Sequence, residues 1–356
     1  MFSGPRVWRA VSEAEVPLAV GALLWALLLF ANSPLRSCRA ASPIPANVRS
    51  AIDLGFKWLA RQQEHDGSFP VMAQDQPAVT GLAVMAFLAR GYTPAHGPHH
   101  RLIDHAVNWV LRQQQPDGYI APPGGTMYDH GICTVMLDEV YGMVAPAQRR
   151  RVARALAKAI QLILSAQKIP RGPFAGGWRY QPNATDADIS CTGWQLMALR
   201  GAADNGAAVP LAAIKDGIGF LLRDACPNGG FAYQPGGPPG PARTGTGVTA
   251  LELLGQRNLP QALAGGDYLL AHPLRPGETF YYYAVYYCSQ AANQLGGKYW
   301  QGIYPHIRRQ LVRHQHAAGF WQPTDAIERQ GGDVYATAMA LLALCVPYHY
   351  LPLYQR

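Results

Sequence analysis

Two carboxylates two residues apart, Asp186 and Asp188, stand just ahead of Ser190-Cys191-Thr192. Such a pair suits acid catalysis. One carboxylic acid can be held protonated yet acidic by a neighbouring acid or hydrogen-bond donor in a water-poor pocket. A second constellation is Asp129-His130-Gly131, where a His beside an Asp could carry a proton or hold a hydrogen bond. Aromatic residues are the third: Trp178, Trp194, Tyr281, Tyr283, Tyr287 and Tyr335. Aromatic faces stabilise cations by about 0.5–2 kcal/mol each and also line apolar sites. A structural reading competes for the carboxylates. Asp188 lies four residues before Thr192, and Asp333 four before Thr337. A shared register suggests a shared N-cap, because a carboxylate there accepts orphan backbone N–H groups. Acid and cap both stay open for Asp188. Asp188, Cys191 and His130 are ligand types for zinc, but nothing in their spacing gathers them. No metal and no cofactor are expected.

The elements that must position these residues form a repeat. Apolar centres at Trp58, Trp109, Ile163, Phe220, Tyr268 and Leu311 recur every 43 to 57 residues. Four residues later come Gln62, Gln113, Gln167, Asp224, His272 and Gln315. A Gly-plus-aromatic turn follows most of them, as in Gly176-Gly177-Trp178 and Gly319-Phe320-Trp321. A helix apolar almost all round comes next, headed by Thr80, Thr134, Thr192, Thr246 or Thr337. The preceding helix is amphipathic, with Ile52, Phe56 and Leu59 on one side and Asp53, Lys57 and Arg61 on the other. One such pair cannot bury its own face, so six must stack. Polar outside and apolar inside predicts an all-α (α/α)6 toroid around an axial cavity. The fifth inner helix carries five tyrosines between Tyr281 and Tyr287. Their hydroxyls need partners, so some should face the cavity.

Composition agrees. The chain has 356 residues, 49% hydrophobic and 15% charged, which excludes disorder. The formal charge of +8 reads as diffuse surface charge rather than a nucleic-acid stripe. Six cysteines without a CxxC pair argue against a disulfide scaffold. Arg6 and Arg9 precede an apolar run from Val16 to Ala31, and Cys38-Arg39-Ala40 suits signal cleavage. Residues 1–41 therefore read as a signal peptide or membrane anchor, and 42–356 as one toroid domain. The expected location is exported, or membrane-associated through the N-terminus.

Gln315-His316-Ala317-Ala318-Gly319-Phe320-Trp321 matches the Q-x-x-x-G-x-W repeat of squalene and hopene cyclases, with degenerate copies at Gln62–Phe69 and Gln113–Ile120. The chain thus resembles the terpenoid-cyclase and protein-prenyltransferase superfamily over roughly residues 50–350. The resemblance implies the same toroid, with the repeat tying helices together. Gly176-Gly177-Trp178 followed by Asp186-Ala187-Asp188-Ile189 is similar to the G-G-W and D-x-D-D-T segments of those cyclases. By that likeness Asp188 is the acid that protonates a double bond, Asp186 and His130 support it, and Ile189 replaces the third carboxylate. In Asp333-Val334-Tyr335-Ala336-Thr337, Ala336 stands where prenyltransferases carry a zinc-binding His. Two functions follow. One is an exported toroid with degenerate catalytic motifs, binding an apolar small molecule, peptide or protein in its cavity or on its rim. The other is an isoprenoid cyclase or isomerase initiated by Asp188.

Overall fold

The computed structural model describes residues 44–71 and 76–355; the N-terminal apolar run lies outside them. Those residues form twelve α-helices: α1 Ala46–Ala60, α2 Gln76–Ala89, α3 His100–Arg112, α4 Met127–Val140, α5 Pro146–Ala166, α6 Ile189–Asp204, α7 Leu211–Arg223, α8 Pro241–Leu253, α9 Pro260–Ala271, α10 Tyr281–Leu295, α11 Gly297–Arg313 and α12 Glu328–Cys345. The even-numbered helices make a closed inner ring in which each touches the next and α12 returns to α2. Every residue of α2 from Pro77 to Ala89 is buried. In outer helix α3 burial is confined to the Ile103, Ala106, Val107, Trp109 and Val110 stripe. This is the two-layer (α/α)6 toroid that the hydropathy pattern predicts.

The tightest helix hairpin is inner-then-outer. α3 lies on α2, α5 on α4, and so on round to α11 on α10, while α1 lies on α12. The sequence pairing, outer-then-inner, is offset by one element, because adjacency along the chain does not reveal which neighbour shares the larger face.

Each turn is built by a small set of bonds. Gln63 Nε2 donates to Gly67 O (3.1 Å) and to Leu102 O of the next outer helix (2.8 Å). Gln114, Gln167 and Gln315 repeat this with Ala155 O, Ala213 O and Ala51 O. The clamp residues in the first two copies are therefore Gln63 and Gln114. Gln62 and Gln113 only fold back on Trp58 O and Trp109 O. The turn glycine is required. Gly67 has φ 99°, and a Cβ there would lie 2.6 Å from His105 O. The inner helix contributes a hydroxyl to the turn's aromatic N–H: Thr80 to Phe69, Thr192 to Trp178, Thr337 to Trp321. In the fourth copy this is Thr244, not Thr246. In the second copy it is His130, with Thr134 one turn further on.

The inner helices are parallel, so their N-termini share one end. At the other end the C-terminal turn Pro352–Tyr354 closes the ring. Leu353 N donates to Glu139 Oε1 (3.1 Å) and Gln294 Nε2 to Tyr354 O (3.1 Å), while the Tyr354 and Tyr286 hydroxyls bond to each other. α12 passes the length-and-hydropathy test for a membrane span, but here it is a buried member of the inner ring.

Candidate active site

The N-terminal end of the inner ring encloses a cavity of about 700 Å³, within the range of small-molecule sites. First-turn residues of the inner helices frame it: Val79, Tyr128, Ser190, Ala242, Tyr281 and, on α12, Gly331. Its depth is apolar, with Leu82, Ile132, Trp194 and Met339, and its mouth carries Phe280, Ile327, Glu278 and Gln330. Of the residues singled out from sequence, Trp194, Tyr281, Tyr283 and Tyr335 line it. Tyr283 bonds to Thr246 Oγ1 (3.0 Å), so that Thr serves the cavity wall rather than the turn.

Asp188 lies one residue behind the wall and is 0% exposed. It is the N-cap of α6: Oδ1 accepts from Ser190 N (2.9 Å), Ser190 Oγ (2.6 Å) and Cys191 N (2.9 Å). Oδ2 pairs with Arg179 Nη1 at 3.2 Å. Burial raises its pKa, opposed by the Ser190 and Cys191 donors and by Arg179. The Arg179 guanidinium also reaches Asp186 Oδ2 (3.4 Å) and lies over the Tyr180 and Tyr233 rings. Asp186 is thus a half-exposed partner of Arg179. Ser190 Oγ carries the network into the cavity, 2.5 Å from Tyr128 OH.

A second carboxyl faces the cavity directly. Glu328 is 4% exposed. Its Oε1 accepts from Tyr283 N (2.8 Å) and Tyr335 OH (3.3 Å), and its Oε2 from Tyr282 N (3.2 Å). It therefore caps α10 from another helix. Burial pushes its pKa up to about 8, against the pull of the two N–H groups. Gly332, at φ 72°, breaks α12 just beyond it and turns this first segment across the mouth. The same break removes the cap expected of Asp333, whose carboxylate makes no cap hydrogen bond. Asp129 caps two helices: its Oδ2 accepts Thr126 N (3.2 Å) in the capping box of α4, and its Oδ1 accepts Ala78 N of the neighbouring α2 (3.0 Å).

The other sequence candidates are part of the packing. His130 is fully buried. Its Nδ1 accepts Ile120 N (3.1 Å) and its Nε2 faces Ala159 O (3.1 Å), so burial lowers its pKa to about 4. Trp178 sends its indole N–H to Ile163 O (2.8 Å), and Tyr287 packs beneath Trp194. Neither lines the cavity. Among the described residues no three of His, Cys, Asp and Glu are grouped to hold a metal. Sequence reasoning missed Glu328, Ser190, Tyr128 and Arg179. Arg179 was visible as the residue after Gly-Gly-Trp. Glu328 was signalled faintly by Asp325 three residues earlier, which caps its N–H (3.1 Å).

No protein-family model matches the chain. The fold is that of the α/α toroid proteins. The GH76A α-1,6-mannanase of Salegentibacter sp. is similar with a TM-score of 0.64 at 12% identity, covering 84% of this chain and 98% of that one. The type II terpene cyclase MstE from Scytonema, in complex with geranylgeranyl dihydroxybenzoate, is similar with a TM-score of 0.55 at 15% identity, covering 86% and 98%. In sequence, a drimenyl diphosphate synthase of Streptantibioticus cattleyicolor is 28% identical over 193 residues, 54% of this chain and 34% of that protein. One of Streptomyces showdoensis is 26% identical over the same length. The match spans about a third of those relatives. Fold and sequence likeness together make this a terpenoid-cyclase-like protein.

Proposed function

We propose that the protein binds an elongated apolar molecule of isoprenoid type in its axial cavity. The observation that carries this is a cavity of about 700 Å³ whose wall is mostly aliphatic and aromatic. A chain of prenyl units fills such a space and gains from burial at about 25 cal/mol per Å². The mannanase likeness is one of fold alone. Native mass spectrometry with squalene, geranylgeraniol and farnesol tests the reading. A saturable one-to-one complex with at least one of them is expected; no stoichiometric complex with any sinks it. Export or membrane association through the N-terminal segment, and a peptide or protein on the rim, belong to the same proposal. An intact Met1 in a soluble extracytoplasmic fraction counts against the signal peptide.

A second reading is supported by Ser190. Its hydroxyl lines the cavity and is bonded to Asp188, so when Asp188 is protonated and that bond is reversed, a proton can pass from Asp188 through Ser190 to a bound double bond. The alkene gains a C–H bond, and the cation is discharged when a neighbouring carbon gives up a proton, which returns through Ser190 to the Asp188 carboxylate. The product is a cyclised or rearranged isomer. Incubation with the same polyprenes tests it: product from the wild type and none from Asp188→Asn supports it, and no product from either removes it.

A further inference from the structure

One corner of the cavity differs from the rest of its wall. Glu328, Tyr281 and Tyr335 meet there, with Glu278 at the rim. Tyr281 is 4% exposed, and among the described residues its hydroxyl has no hydrogen-bond partner. A buried hydroxyl left without a partner costs free energy until something bonds to it. Glu328 brings a buried carboxyl to the same corner, already fed by two backbone N–H groups and Tyr335 OH. The charge inventory is lopsided. Among the described residues the wall carries one basic side chain, Arg243, and its Nη1 donates to Pro238 O at 2.9 Å. Arg179 is held behind Tyr180 and Tyr233 by Asp186 and Asp188. A diphosphate would place its charges beside two carboxyls with the Arg243 guanidinium alone to meet them, one of its donors already on Pro238 O, and desolvation would not be recovered.

We propose that this corner holds the polar end of the bound isoprenoid, and that this end is a hydroxyl group rather than a diphosphate. This rests on the isoprenoid-binding reading. The hydroxyl supplies both halves of what the corner lacks. It accepts from or donates to Tyr281 OH, and it shares a hydrogen bond with the Glu328 carboxyl. The prenyl tail then runs inward over Trp194 and Leu82.

The test compares one tail with different ends on the full chain: geranylgeraniol, geranylgeranyl diphosphate, geranylgeranyl amine and the parent hydrocarbon, by titration of tryptophan fluorescence. The alcohol is expected to bind at least about tenfold more tightly than the diphosphate. Tyr281→Phe should weaken alcohol binding about fivefold and leave the hydrocarbon unchanged. Hydrocarbon binding by Tyr281→Phe, read in the same titration, shows that the variant is folded. Equal binding of all four ligands overturns the head-group site while leaving the cavity reading intact. Diphosphate binding as tight as alcohol, or amine tighter than alcohol, overturns it as well. If no ligand binds, the isoprenoid reading fails and this proposal falls with it.

Discussion

Asp188 and Glu328 both cap an inner helix at the same end of the ring, in opposite surroundings. Asp188 caps its own helix, sits behind Ser190 and meets a guanidinium. Glu328 caps a neighbouring helix, forms the cavity wall itself and has a second acid, Asp325, beside it. Burial raises the pKa of both carboxyls, but Arg179 opposes it at Asp188 and no cation opposes it at Glu328, which is pushed up to about 8. Capping therefore does not decide what a carboxyl can offer a ligand. The nearest charge does. Asp188 reaches the cavity only through a serine hydroxyl, whereas Glu328 stands on the cavity wall itself.

The largest difference should come from deleting each carboxyl. Asp188→Ala removes the buried one of Arg179's two carboxylate partners, leaves two helix N–H groups without their acceptor, and should cost about 3 kcal/mol in urea unfolding. Asp188→Asn keeps an acceptor for Ser190 and Cys191 and should cost about 1–2 kcal/mol. Equal losses would show that the cap bonds carry little. Glu328→Gln should stay within about 1 kcal/mol at pH 7, because the residue it replaces is already neutral. A loss as large as that of Asp188→Ala would erase the contrast.

The pH dependence sharpens it further. The folded-state pKa of Glu328, about 8, lies above the ordinary 4.5. Between these values the folded state holds more protons, so raising pH favours unfolding. Glu139, pushed to about 8, and Asp224, pushed to about 9, act in the same direction. His130, lowered to about 4, acts oppositely on the acid side, stabilising as pH rises to its ordinary 6.5. The wild-type melting temperature should therefore fall from about pH 6 to about pH 9. Glu328→Gln should melt less steeply over that range and overtake the wild type at its alkaline end. Parallel curves would place the Glu328 proton elsewhere.

The smallest effect concerns the seam between the two walls. In four copies a glutamine clamps the turn to the next outer helix. At the α7–α9 seam the equivalent position is Ala225, one residue after the buried Asp224. Gly229 approaches Ala264 O as Gly67 approaches His105 O. By that register the missing acceptor is Gln261 O. Ala225→Gln should add about 1 kcal/mol by supplying the clamp, with head-group discrimination unchanged. A loss of stability would mean that the seam is closed to a longer side chain.

Hydrophobic periodicity carried the architecture, because an inner helix with neighbours on every side must be apolar all round. The Asp188 cap was also legible, since a cap acts within one turn. Register was harder. Doubled glutamines at Gln62-Gln63 and Gln113-Gln114 hid which one clamps, and His130 replaces a threonine with a different chemical group. The Glu328 corner was not legible. It depends on a break at Gly332 and on bonds to another helix, and neither leaves a periodic trace. Asp333 misled for the same reason, because the break changes its backbone while its spacing to Thr337 stays intact.

The hairpin order has a consequence for how the chain folds. Gln315 bonds to Ala51 O across 264 residues, and α1 lies on α12. During synthesis α1 is made first, yet the surface that covers Val48, Ile52, Phe56 and Leu59 is made last. The other five outer helices follow their inner partners immediately and can dock as they emerge. Closing the ring then pays the loop entropy of nearly the whole domain in one step, which slows that step relative to local docking. A permuted gene beginning at α2 and ending with α1 would make all six hairpins contiguous.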